Sequence, residues 1–145
     1  IGHLPKPEQM IKHQKNVVES IRKSINHLDL DSKRINLLGF SQGASLSLYT
    51  GLLNTSLFNS VVALSGFFPV KERINDFDPD EVPNLNVFMG HGKFDPVVPL
   101  KLGQNTLEGL KDLRLEPTYK EYASEHTIPN DCLQDVIKWL NEKNI

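Results

Sequence analysis

Three side chains of the kinds that perform acyl transfer are spread along the chain as Ser41, Asp95 and His126. Ser41 is the centre of Gly39-Phe40-Ser41-Gln42-Gly43, a G-x-S-x-G pentapeptide. A serine hydroxyl is a weak nucleophile and needs a neighbouring base to take its proton. That base needs an acid to hold its tautomer and orientation. A glycine on either side of such a serine has a mechanical use, because a tight turn brings neighbouring backbone where a β-carbon would clash. The turn would also aim the Gln42 backbone N–H at an oxyanion developing beside Ser41. The bare pentapeptide also occurs as an ordinary strand-to-helix turn, so its setting has to decide.

The elements that must position these groups alternate between helix and strand. Apolar residues at Met10, Ile11, Val17, Val18, Ile21, Ile25 and Leu28 recur at spacings of three and four, which predicts a long helix with Pro7 near its first turn. Ile35 to Phe40, Val61 to Leu64 and Asn86 to Gly90 are short apolar runs, read as buried strands, and Pro117 to Tyr122 alternates enough to be a fourth strand. Helices are expected over Gln42 to Leu53, Pro99 to Leu113 and Asn130 to Asn141. Phe67 to Leu85 contains Pro69, Pro79 and Pro83 and is read as a surface loop. Strands apolar on both faces and separated by helices predict a mostly parallel sheet covered by helices on both sides. Such α/β folds hold their sites at the carboxyl ends of the strands.

Ser41, between a strand and a helix, satisfies that rule. His126 lies in Ser124-Glu125-His126-Thr127, between the last strand and the last helix. It alone among the five histidines has both Ser41 and a strand-end acid ahead of it, the order nucleophile, acid, base. His3, His13 and His27 precede the elbow, and the latter two read as solvated positions on or near the first helix. His91, just after the third strand, is read as a brace for the acid loop. Asp95 follows that strand and leads into Pro96-Val97-Val98-Pro99; it also fits a turn-forming or capping aspartate. Asp76, Asp78 and Asp80 belong to the long loop, and Glu125 is too near His126 in sequence to orient it. Phe67, Phe68 and Phe77 of the long loop, with Val97 after the acid, are candidates for an apolar acyl-binding wall; Leu4 is a weaker one. Packing of the loop onto the core would explain the same aromatics.

Gly39-Phe40-Ser41-Gln42-Gly43-Ala44, His91-Gly92-Lys93-Phe94-Asp95-Pro96-Val97-Val98-Pro99 and Glu125-His126-Thr127 together resemble the acyl-protein thioesterase / carboxylesterase (lysophospholipase-like) family of α/β-hydrolases. The resemblance implies a cofactor-free serine hydrolase working through an acyl-Ser41 intermediate. It implies as substrates S-acylated proteins, lysophospholipids or small carboxylic esters. The sequence departs from the family at Ala44, where Gly is common, and at Glu125, where Gly is frequent. No His-Gly loop, the family's source of a second oxyanion donor, precedes Ser41. The chain also opens on Ile1, so residues 1–145 are expected to be a single α/β-hydrolase domain lacking its N-terminal strands. A dienelactone-hydrolase-like or peptidase-like enzyme is a second reading. A catalytically impaired relative that binds acyl groups or a partner is the alternative from a different class.

Composition bounds the remaining choices. With 39% hydrophobic and 23% charged residues the chain is too apolar to be disordered, and a net charge of -2 carries no nucleic-acid footprint. Its single cysteine, Cys132, cannot form an internal disulfide, which favours a cytoplasmic setting. No apolar run approaches the length of a transmembrane segment. The histidines stand singly, without metal-ligand spacing, so no metal or cofactor is expected. The open apolar edge left at Ile35 to Phe40 makes a homodimer possible.

Overall fold

The computed structural model describes residues 6–143. Helix α1, Pro7–Leu28, begins with proline at its first position, and the Lys6 N–H donates to Gln9 Oε1 at 3.0 Å, satisfying a donor just ahead of the helix. It ends where Asp29 takes a left-handed conformation, with φ 52°, and returns its N–H to the Ile25 carbonyl. Strand β1, Asn36–Phe40, passes directly into α2, Gln42–Leu53. Then come β2, Ser60–Leu64; β3, Asn86–Gly92; α3, Leu100–Asp112; β4, Thr118–Tyr122; and α4, Asn130–Lys143. Boundaries sit within two or three residues of those expected, and the extension of β3 through Gly92 places His91 inside the strand.

The four strands form one parallel sheet in the order β1-β2-β3-β4. Leu38 pairs with Val62, Val62 with Phe88, and Phe88 with Thr118, so every strand runs the same way and all carboxyl ends share one rim. One face carries Val61, Ala63, Val87 and Met89, on which α2 and α3 pack with Leu48, Leu52, Leu107 and Leu110; α1 lies over α2. The other face carries Val62, Leu64, Phe88 and Tyr122 against Cys132, Val136 and Trp139 of α4. The Phe88 and Trp139 rings meet at 5.6 Å, and the Trp139 indole N–H donates to Thr118 Oγ1 at 3.0 Å, so the indole's one polar group stays paired. No described helix is long and apolar enough to cross a membrane.

The open apolar edge expected at Ile35 to Phe40 is present among the described residues: β1 is an edge strand, and Leu38 on its α4-facing side is 55% exposed. One expectation changes. The segment from Phe67 to Leu85 is no simple surface loop. It contains two 3₁₀ turns, Lys71–Asp76 and Val82–Asn84, and buries Phe68, Val70, Phe77, Val82 and Leu85 in the core. A 3₁₀ turn is short and repeats differently from an α-helix or a strand, so its inward side chains leave no periodic trace.

Candidate functional site

The turn between β1 and α2 holds Ser41 with φ 56° and ψ −120°, a backbone conformation unfavourable for a residue with a β-carbon. It is held there from both sides: the Ser41 N–H donates to the Leu64 carbonyl at 2.9 Å, and its own carbonyl accepts from Ala44 N–H at 3.0 Å. Gly39 is required because a β-carbon there would lie 2.0 Å from the Gly43 carbonyl oxygen. The result is a serine projecting at the carboxyl rim, with the first turn of α2 and its positive dipole end beside it. Gln42 is the first residue of that helix and lines the same cleft.

Asp95 and His126 arrive on the loops after β3 and β4. Those loops are stitched together: Lys93 N–H donates to the Tyr122 carbonyl at 2.8 Å and Phe94 N–H to the Ser124 carbonyl at 3.0 Å. Asp95 Oδ1 accepts from the backbone N–H groups of Val97 and Val98, each at 2.8 Å. Its Oδ2 lies 2.8 Å from His126 Nδ1. His126 Nε2 in turn lies 3.1 Å from Ser41 Oγ. Burial pushes the Asp95 carboxyl upward, but the hydrogen bonds from His126, Val98 and Val97 outweigh it and hold the group below its ordinary range. An ionised carboxylate only accepts, so His126 carries its proton on Nδ1 and presents Nε2 as the acceptor for the Ser41 hydroxyl.

Two further side chains bear on this constellation. The Phe40 ring packs on the His126 imidazole, centroids 4.7 Å apart, and limits how that ring can tilt. Nothing in the local sequence pattern singles out Phe40 for this contact. His91, read in the sequence as a brace for the acid loop, is buried, with Nε2 2.8 Å from the Val98 carbonyl oxygen.

Ser41, Gln42, Ser45, Gly66, Phe67, Val97 and Val98 enclose a cleft of about 120 Å³. Ser45 Oγ donates to the Phe67 carbonyl, and Thr106 Oγ1 accepts from Phe68 N–H at 2.9 Å, which pins this stretch across the cleft wall. The other two aromatic candidates face elsewhere. Phe68 stacks on Tyr49 and Phe77 meets it edge-on in a buried cluster, at centroid distances of 5.1 and 6.0 Å. Phe68 also borders a larger apolar hollow of about 380 Å³ with Met10 and Arg73, but Ser41 is not on its wall. Leu4 and His3 lie outside the described residues. Among the described residues, no group of three or more His, Cys, Asp and Glu side chains is placed to hold a metal ion.

Residues 4–144 match the family model for phospholipase/carboxylesterase. The chain is 38% identical to acyl-protein thioesterase 1 of Candida albicans, with 88% of this chain and 56% of the relative covered. It is 32% identical to the protein of the same name in Mycosarcoma maydis, with 96% and 58% covered. It therefore spans little more than half the length of these curated relatives. Among solved structures it superposes on Arabidopsis thaliana SOBER1 with a TM-score of 0.83 at 26% identity, covering 92% of this chain and 64% of that one. Zea mays acyl-protein thioesterase 2 gives a TM-score of 0.74 at 24% identity, covering 91% and 66%.

Proposed function

Because the chain belongs to the phospholipase/carboxylesterase family, we propose that it contributes the catalytic machinery of a serine hydrolase acting on carboxylic esters or thioesters. The observation that carries this reading is the unbroken run of contacts from Ser41 Oγ to His126 Nε2 at 3.1 Å and from His126 Nδ1 to Asp95 Oδ2 at 2.8 Å.

In this mechanism His126 accepts the Ser41 proton as the oxygen attacks the acyl carbon. Asp95 stabilises the imidazolium that forms and keeps its own charge. The tetrahedral oxyanion develops beside the Gln42 backbone N–H and the positive end of α2. Collapse expels the alcohol or thiol, which receives the proton from His126. Water, activated by the same imidazole, then releases the acid from the acyl-Ser41 intermediate. The proton transfers run through Ser41, His126 and Asp95 of this chain, and no step draws on a cofactor.

The substrate is proposed to be an S-acylated protein, a lysophospholipid or a small acyl ester, its acyl portion lying against Phe67 and Val97. The names of the curated relatives favour a thioester, and the apolar wall of the cleft supports an acyl group of some kind. A cytoplasmic setting is proposed on the buried free thiol of Cys132, which has no disulfide partner.

A fluorophosphonate probe tests the reading directly. Labelling of Ser41 that disappears in His126→Ala supports it. A chain with intact structure that takes no label at Ser41 would overturn it.

A further inference from the structure

We propose that His91 is a positioning residue for the acid of this site, acting through the Val98 peptide; the proposal rests on the assignment of Asp95 as the orienting acid. Val98 is held at both ends. Its N–H donates to Asp95 Oδ1 at 2.8 Å, and its carbonyl lies 2.8 Å from His91 Nε2. A carbonyl only accepts, so the Nε2 position of His91 carries the hydrogen. The imidazole thus fixes the peptide that fixes the carboxylate, and the opposite oxygen of that carboxylate fixes His126.

The ring has no room to move aside. His91 is 2% exposed and comes from β3, an inner strand paired with β2 on one side and β4 on the other. On its far side stands α3, where a β-carbon at Gly103 would lie 2.5 Å from His91 Nδ1 and 3.0 Å from Cε1. The helix backbone is therefore pressed against the ring, and glycine at 103 is what permits it. His91 Nε2 is 3.6 Å from Asp95 Oδ2, too far for a good direct hydrogen bond, so the route through Val98 is the one the distances favour.

An apolar side chain of similar bulk would fill the space but leave the Val98 carbonyl without this donor, and an orphaned buried acceptor is costly. The Val97-Val98 turn would then relax, and Asp95 would lose the aim that orients the base. Small displacements of a catalytic group cost rate out of proportion to their size.

The test uses the full chain, His91→Leu, which keeps bulk and removes the donor, and His91→Gln, whose amide can reach the same carbonyl. One readout is the downfield proton resonance of His126 Nδ1–H. The other is kcat and KM on p-nitrophenyl butyrate. In His91→Leu the resonance should broaden or vanish, and kcat should fall about 10- to 100-fold with little change in KM. His91→Gln should restore most of both.

A His91→Leu chain that keeps the resonance and the wild-type kcat would overturn the proposal. If that variant does not fold, the tautomer of His91 in the wild-type protein, read by long-range ¹H–¹⁵N correlation, still decides. Protonation at Nε2 is required; a ring protonated only at Nδ1 has no donor for Val98 and ends the idea. Failure of the hydrolase reading is separate, since it would appear as absent fluorophosphonate labelling in the wild type while the tautomer and the His126 resonance still report the brace.

Discussion

His126 Nδ1 stands 2.8 Å from Asp95 Oδ2 although 31 positions separate the two residues and different strands deliver them. The contact fixes the imidazole in the one tautomer that leaves Nε2 able to accept from Ser41. Asp95→Asn should therefore damage turnover far more than structure. The amide can donate to Nδ1 and so stabilise the opposite tautomer. A loss of kcat on the order of 10⁴ is expected, with the melting temperature shifted only modestly. Ester kinetics beside a thermal melt check it; a variant within tenfold of wild type would remove Asp95 from the mechanism.

The same carboxylate links the site to acid stability. Asp95 is held below its ordinary range because hydrogen bonds from His126, Val98 and Val97 overcome the opposing effect of burial. A carboxyl whose folded value lies below its unfolded value binds fewer protons when native. Its contribution is complete above the unfolded value, about 3.9, and drains away as the pH falls through the folded value. Denaturant titrations from pH 7 to pH 2.5 should show wild type losing stability below about pH 4 more steeply than Asp95→Asn. Parallel acid limbs for the two proteins would contradict this.

The site was more legible in the sequence than the surface that surrounds it, and the reason is physical. Ser41 and Asp95 each follow an apolar run read as a strand, His126 follows the alternating stretch Pro117 to Tyr122, and parallel strands bring their carboxyl ends together whatever else the chain does. Pattern alone therefore put three remote residues on one rim. Between Phe67 and Leu85 there is no period to follow, so Phe67 and Phe77 looked equivalent. In the folded chain Phe67 lines the cleft beside Ser41 while Phe77 packs on Tyr49. A run of apolar residues does not by itself report burial: Leu38 lies within one and is 55% exposed, because among the described residues β1 has a hydrogen-bonded neighbour on one side only. The contact of Phe40 with His126 depends on the exact path of the last loop, which no local pattern encodes.

The elbow should tolerate almost nothing at Gly39. A methyl group there would sit 2.0 Å from the Gly43 carbonyl oxygen and 2.2 Å from its carbon, both backbone atoms that cannot swing away. Gly39→Ala is expected to cost stability at or beyond the top of the roughly 1–3 kcal/mol usual for overpacking. It should also abolish fluorophosphonate labelling, because the turn must open to admit the methyl and Ser41 moves with it. Calorimetry and labelling on one preparation test both halves. Wild-type labelling in a stable Gly39→Ala chain would show that the turn is less constrained than its geometry implies.

The two aromatic residues that looked alike in sequence should separate cleanly by experiment. Phe67 is half-buried on the wall of the cleft and pinned through its carbonyl by Ser45, whereas Phe77 is 6% exposed and packed against Phe68 and Tyr49. Removing the Phe77 ring opens a cavity in the core, for which about 3–5 kcal/mol of lost stability is typical. It should leave the ratio of short-ester to long-ester turnover unchanged at a temperature where the variant is folded. Phe67→Ala should do the reverse: a smaller stability loss, because the site is open to solvent, and a changed ratio, because apolar contact with the acyl chain is lost. Each methylene no longer covered is worth up to about 0.8 kcal/mol, so the effect should grow with chain length. A ratio that responds to Phe77→Ala but not to Phe67→Ala would place the acyl group on the other side of this loop, toward the hollow bordered by Met10 and Arg73.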